Sequence, residues 1–158
     1  MTELIPVLAG FAVLLYLSGS FSGAETAYFS LSRLDIDQLD ERSRVRRLAR
    51  DPEKLLIGIL IGNTLVNVAL GALGALAALR LSETRNYDPA ITIALEVGVV
   101  TFVLLLLGEV APKMYAMQRN MPVAARNAPL IDWTLRLFRP LVSGMTGIIS
   151  AMRGKLAE

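Results

Sequence analysis

Ser18, Ser22 and Glu25 interrupt an apolar stretch at spacings of i, i+4 and i+7. On a helix these positions share one face. Asn63 and Asn67 stand at i, i+4 in a second apolar stretch that carries no charge. Gly108, Glu109 and Pro112 close a third. A polar group inside a membrane segment is expensive and points to function by default. Pro112 has no N–H to offer the carbonyl four residues back, which is that of Gly108. A helix reaching Pro112 therefore frees a backbone oxygen beside the Glu109 carboxylate. Ser22, Asn63, Asn67, the Gly108 carbonyl and Glu109 make five oxygen donors, and Ser18 or a water can supply a sixth. Oxygen-only donor sets suit hard cations such as Mg²⁺, Ca²⁺, Mn²⁺ or Na⁺, and Mg²⁺ favours an octahedron.

The 158-residue chain has neither cysteine nor histidine. Disulfides, zinc sites of the usual type, HExxH proteases and His-paired nucleophiles are thereby excluded. No GxxxxGK[ST] motif binds a nucleotide. Glu25 and Glu109 have no nucleophile partner visible in the sequence, so an enzyme is not expected. Each polar residue also has a structural reading. A lone serine can bond its own backbone, two asparagines can join helices, Glu109 can pair with Lys113, and Glu25 can bond a neighbouring helix or answer Arg33. Glu96 lies roughly 20 Å along a helix from Glu109, at about 1.5 Å per residue, and suits packing or a dimer interface better than the same site.

The composition points to the elements that hold these residues. Apolar residues make up 54% of the chain, charged residues 19%, and mean hydropathy is +0.52. Soluble domains run about 45–50% apolar and about 25% charged. A spanning helix needs roughly 20 mainly apolar residues. Three stretches qualify, at about 4–31, 55–79 and 89–111. The first has no basic residue before it and runs too long for a cleaved signal peptide. Gly19 and Gly23 in the first segment, and Gly58 and Gly62 in the second, permit close helix approach. Seven Lys/Arg lie between Arg33 and Lys54, two between Arg80 and Asp88, and seven from Lys113 onward. Lys and Arg stay on the cytoplasmic side. The expected form is an all-α membrane protein with its N-terminus outside and its C-terminus cytoplasmic. This sorting by membrane side also argues against nucleic acid as a partner.

The 33–54 loop reads as a short helical excursion stopped near Pro52. Residues 113–158 read as a juxtamembrane belt cut into short pieces by Pro122, Pro129 and Pro140. Asp132, Arg136 and Arg139 fall on one helical face; Leu130, Trp133, Leu137 and Phe138 fall on another. Trp with Arg on such a helix fits the membrane interface, with packing on the bundle as the alternative. The tail after Pro140 reads as too short to span and as a stalk. Asn63 and Glu109 sit at different depths on straight helices with these boundaries. A break at Gly108–Pro112 inside the bilayer is expected to reconcile them.

FSGAETAYFSLSR, LIGNTLVN and GEVAPK, in this order on three segments, resemble the transmembrane domain of the cyclin-M/CorC magnesium transporters. The resemblance extends from about Leu8 to Arg139. It implies a homodimer in the plasma (inner) membrane, with three spanning helices and a cation site in each protomer. It also implies Mg²⁺ export coupled to Na⁺ entry. By this resemblance Ser22, Asn63, Asn67, Gly108 and Glu109 are the Mg²⁺ ligands, and Ser18 and Glu25 are cavity neighbours on a Na⁺ path. The family continues into cytosolic nucleotide-binding regulatory domains. A chain stopping at Glu158 is expected to be a truncation or minimal form without nucleotide regulation. The alternative function is a membrane anchor and dimerisation module that senses Mg²⁺ without moving it.

Overall fold

A computed structural model describes residues 4–85 and 87–156, and among them the structure is all helical. The elements are α1 (Leu4–Phe29), α2 (Arg33–Asp37), α3 (Arg44–Ala49), α4 (Pro52–Arg85) and α5 (Pro89–Val103). A π-helical stretch, Leu104–Val110, leads from α5 into α6 (Ala111–Gln118), followed by α7 (Asn120–Leu137) and α8 (Arg139–Leu156). Among the described residues three helical stretches are long and apolar enough to cross a membrane: Ile5–Phe29, Pro52–Thr84 and Pro89–Gln118.

The third span starts at Pro89 as expected, the second starts earlier, and both run on beyond their expected ends. Pro52 and Pro89 start helices because the first helical N–H has no partner to lose. Asp88 caps α5, its Oδ1 accepting the Ala90 N–H at 2.8 Å. The third span does not break at Gly108–Pro112. The chain tightens neither into a turn nor into a gap, but winds as a π-helix in which the Ala111 N–H bonds the Leu106 carbonyl five residues back. The 33–54 segment is helical as expected but divided, into α2, α3 and the first residues of α4. Ser32 caps α2 in a reciprocal box with Asp35: the Asp35 N–H donates to Ser32 Oγ, and the Ser32 N–H donates to Asp35 Oδ2.

The three prolines of the belt do not chop it up. Pro122 and Pro140 lie in the first turns of α7 and α8, where an N–H is not needed. Pro129 sits inside α7. Pro129 and Ala125 both lie on its exposed side, so the carbonyl freed by the proline does not face the core. The tail after Pro140 is an 18-residue helix. Arg139 begins that helix, so it does not extend the Asp132–Arg136 face of α7.

The core lies where one end of the bundle meets the belt. Phe21, Ala24 and Tyr28 of α1, Leu55 and Ile59 of α4, Ala116 of α6, and Val123, Ala124 and Ile131 of α7 are all buried there. The other halves of the spans show Leu8, Val68, Leu76, Ile91 and Leu95 on the outside. Burial that drives folding in water has no such drive against hydrocarbon, where close packing takes over. Gly62 provides it: a Cβ there would fall on the Phe21 ring. Gly58 likewise sits against Leu135 of α7. α7 turns Asn127, Ile131 and Thr134 inward, while Trp133 and Leu137 remain 61% and 54% exposed. Its inner face packs on the bundle, and its Trp-bearing face stays free. Asp132 pairs with Arg136 at 2.6 Å and with Arg47 of α3 at 2.9 Å, tying the two basic segments together at one end.

Gly62→Ala should destabilise the helix pair by about 1–3 kcal/mol through overpacking. Gly98→Ala, where nothing lies near the added methyl, should be neutral or stabilising by up to about 1 kcal/mol. Thermal unfolding in detergent micelles measures both.

The Ser32 hydroxyl and N–H hold the Asp35 carboxyl below its ordinary value. A carboxyl depressed by folding adds stability above its unfolded value, and that stability is lost as pH falls through the folded one. Ser32→Ala should therefore return the Asp35 titration towards the ordinary 3.8, read by NMR.

Candidate cation site

Four elements bring their polar residues to one place. Asn63 lies eleven residues inside the start of α4, and Glu109 lies nine before the end of α6. Both helices run further towards the belt than their apolar stretches do, and this removes the expected difference in depth. Asn63 Nδ2 donates to Glu109 Oε1 at 3.1 Å. The Ser22 hydroxyl lies 3.1 Å from Glu109 Oε2 and 3.3 Å from the Glu109 carbonyl oxygen. The Ser18 hydroxyl donates to Asn67 Oδ1 at 2.8 Å and stands 3.5 Å from Asn63 Oδ1. Both serines are fully buried.

Backbone shape makes this approach possible. Gly19 and Gly23 of α1 face Pro112, and an added Cβ at Gly19 would meet the proline ring at 3.0 Å. Gly108 is buried against Ser18, whose Oγ would lie 2.9 Å from a Cβ at position 108. Any side chain there would push into the serine that bonds Asn67. The π register widens the helix at this level, and π-helical turns gather at functional positions.

The expected residues thus assemble: Ser18 contacts Asn63, Asn67 and Gly108, and Glu109 contacts Ser22 and Asn63, with Pro112 packed on Gly19 beside them. Glu25 stands at the rim of this cluster. It does not answer Arg33 but pairs with Lys113, whose Nζ lies 3.2 Å from Glu25 Oε2 and 3.6 Å from Glu109 Oε2. The i, i+4 spacing makes the Lys113–Glu109 pair visible in sequence. Nothing local announces that Glu25 completes it. The two carboxylates and one ammonium leave a local charge of −1. Lys113, Glu25 and Glu109 keep 40%, 32% and 25% of their side-chain surface, so the rim is open while the serines are dry. Among the described residues no three acidic, histidine or cysteine side chains form a metal-holding group. The donors are therefore mostly neutral oxygens around a single carboxylate. Glu96 lies elsewhere, against Gly74 on the α4–α5 interface.

Residues 9–156 match the cyclin M transmembrane N-terminal domain. The UPF0053 inner membrane protein YfjD of Escherichia coli is 34% identical over 146 residues, covering 87% of this chain and 33% of that protein. The UPF0053 protein sll0260 of Synechocystis is 34% identical over 143 residues, covering 82% of this chain and 32% of that protein. The UPF0053 protein YhdT of Bacillus subtilis is 32% identical over 140 residues, covering 80% and 29%. The chain spans about a third of the length of these relatives. With three spans joined around a shared polar cluster and this match along nearly its whole length, the chain belongs to the cyclin M transmembrane domain family.

Proposed function

We propose that this domain carries Mg²⁺ across the plasma (inner) membrane, outward, with Na⁺ entry as the driver. The observation that supports it is the meeting of Ser22, Asn63 and Glu109 from three separate spans within hydrogen-bond reach. Helices that needed only glue would not require a carboxylate and a π-helical backbone at the same level. The donors fit the cargo: all are oxygens, as a hard, strongly hydrated cation prefers. A transported ion must also leave. One carboxylate in the cluster, with Lys113 beside it, under-neutralises a divalent ion and favours release over retention.

Moving a divalent cation out against about 100 mV costs about 4.6 kcal/mol, at about 2.3 kcal/mol per charge. An ion gradient can supply this in a chain that has no nucleotide-binding loop of the P-loop type. Ser18 and Glu25 are assigned to the cavity on the Na⁺ path, where Glu25 adds negative charge at the open rim. In this reading the basic segments lie on the cytoplasmic side, which opens the rim to cytosolic ions. The working unit is a homodimer, with the exposed apolar faces of the spans available to lipid and to a second copy. Cytosolic nucleotide-binding domains belong to the longer protein. A sensor that binds Mg²⁺ without moving it is the competing reading.

In proteoliposomes loaded with a Mg²⁺-sensitive dye, Asn67→Ala and Glu109→Gln should each slow Mg²⁺ flux by about 10- to 100-fold, the range for a lost charge-assisted partner. Both variants should keep the wild-type helical content by circular dichroism. Mg²⁺ binding with no wild-type flux would select the sensor.

An opposing Na⁺ gradient should accelerate Mg²⁺ movement, and reversing it should reverse the direction. Flux indifferent to Na⁺ would remove the coupling and leave the site.

A further inference from the structure

A groove of about 470 Å³ opens on the side of α1 away from α4. Tyr16 and Ser20 of α1, Leu107 and Pro112 of the third span, Tyr115 of α6 and Arg126 of α7 line it. Its size falls within the range of small-molecule sites, about 300–1,000 Å³. Most of the wall is apolar, and among the described residues no carboxylate lines it.

Arg126 sets one end apart. Its guanidinium lies 6.0 Å from the centroid of the Tyr16 ring. Among the described residues it makes no ion pair, whereas Arg47, Lys54, Lys113 and Arg136 each meet a carboxylate. A cation steadied on an aromatic face keeps its donors for an anion. An apolar trough ending in a free guanidinium, on a domain that spans a membrane, calls for a ligand with a hydrocarbon tail and an anionic head. Basic pockets between membrane helices bind anionic head groups.

We infer that this groove is a binding site for an anionic glycerophospholipid, with the phosphate on Arg126 and an acyl chain along Leu107 and Pro112. The absence of a carboxylate among the lining residues sets the head-group preference. A zwitterionic lipid brings an ammonium that finds no carboxylate among the lining residues and competes with Arg126 for the Tyr16 face, so phosphatidylglycerol is favoured over phosphatidylcholine. The groove is lined by Leu107 and Pro112, which flank Gly108 and Glu109 along the third span. The lipid would touch the same stretch that presents Gly108 and Glu109. The inference stands on the groove and its charge, independently of whether the cluster passes a cation.

Native mass spectrometry of the delipidated chain in detergent tests it, with phosphatidylglycerol and phosphatidylcholine of identical acyl chains titrated separately. Wild type should prefer phosphatidylglycerol by about fivefold, the scale for one basic residue near the bilayer surface. Arg126→Gln should bring the two lipids to parity, and Arg126→Lys should keep part of the preference. Ala12→Phe, which fills the apolar end from the α1 wall, should weaken both lipids while leaving Arg126 intact. Phosphatidylglycerol bound equally by wild type and Arg126→Gln would overturn the assignment. So would its full displacement by inorganic phosphate at matched concentration. A dimer fraction that falls in Arg126→Gln, with lipid binding unchanged, would assign the groove to a second copy and overturn it as well.

Discussion

The close approach of α1 to the third span governs the rest of the structure. Gly19 leaves the Pro112 ring almost no room for an added methyl, Gly23 lies beside the same proline, and Ser18 and Ser22 are buried next to them. Small residues bring two backbones together, and the hydroxyls between them then find Asn67 and Glu109. In hydrocarbon, apolar burial gives little preference for one helix arrangement over another. Packing of small residues and the satisfaction of polar groups carry that choice. Here both are supplied by the same four-residue rhythm on α1.

The π-helical stretch follows from this approach. A regular α-helix through Pro112 leaves one carbonyl without its N–H. Winding at five residues per bond redistributes the loss over a wider helix and keeps the chain continuous through membrane depth. It also lets neighbouring positions, Gly108 and Glu109, contact the same α1 surface at Ser18 and Ser22. Non-helical backbone is tolerated at such depth only where protein or a cavity covers it. A π stretch achieves local irregularity without leaving the helix.

The belt anchors one end of this arrangement. α7 lays Ile131 and Thr134 against the bundle, and Asp132 binds Arg47 across from the 33–54 segment. At the same end Lys113 bridges Glu25 and Glu109. The rim of the polar cluster is therefore charged and open, Glu109 reaches from it to Ser22 and Asn63, and the serines beneath are dry. The charged rim and the hydrogen-bonded serines are thus separated along the bundle, in a domain of the cyclin M transmembrane family whose relatives are longer.

The sequence by itself determined the three spans, their charge sorting, and the faces carrying Ser18, Ser22, Asn63, Asn67 and Glu109. These follow from hydropathy and the 3.6-residue period, which act within one segment. It misjudged the start of α4 and the continuity of the belt, because Pro52, Pro122 and Pro140 fall in first turns where proline is harmless. It also misjudged Pro129, whose cost depends on which face meets the core. Only the tertiary structure decided the π register, the equal depth of Asn63 and Glu109, and the capture of Glu25 by Lys113. Each of these depends on how far one helix slides along another. That offset is set by glycine-to-proline and glycine-to-ring contacts between residues more than forty positions apart, and no local pattern encodes it.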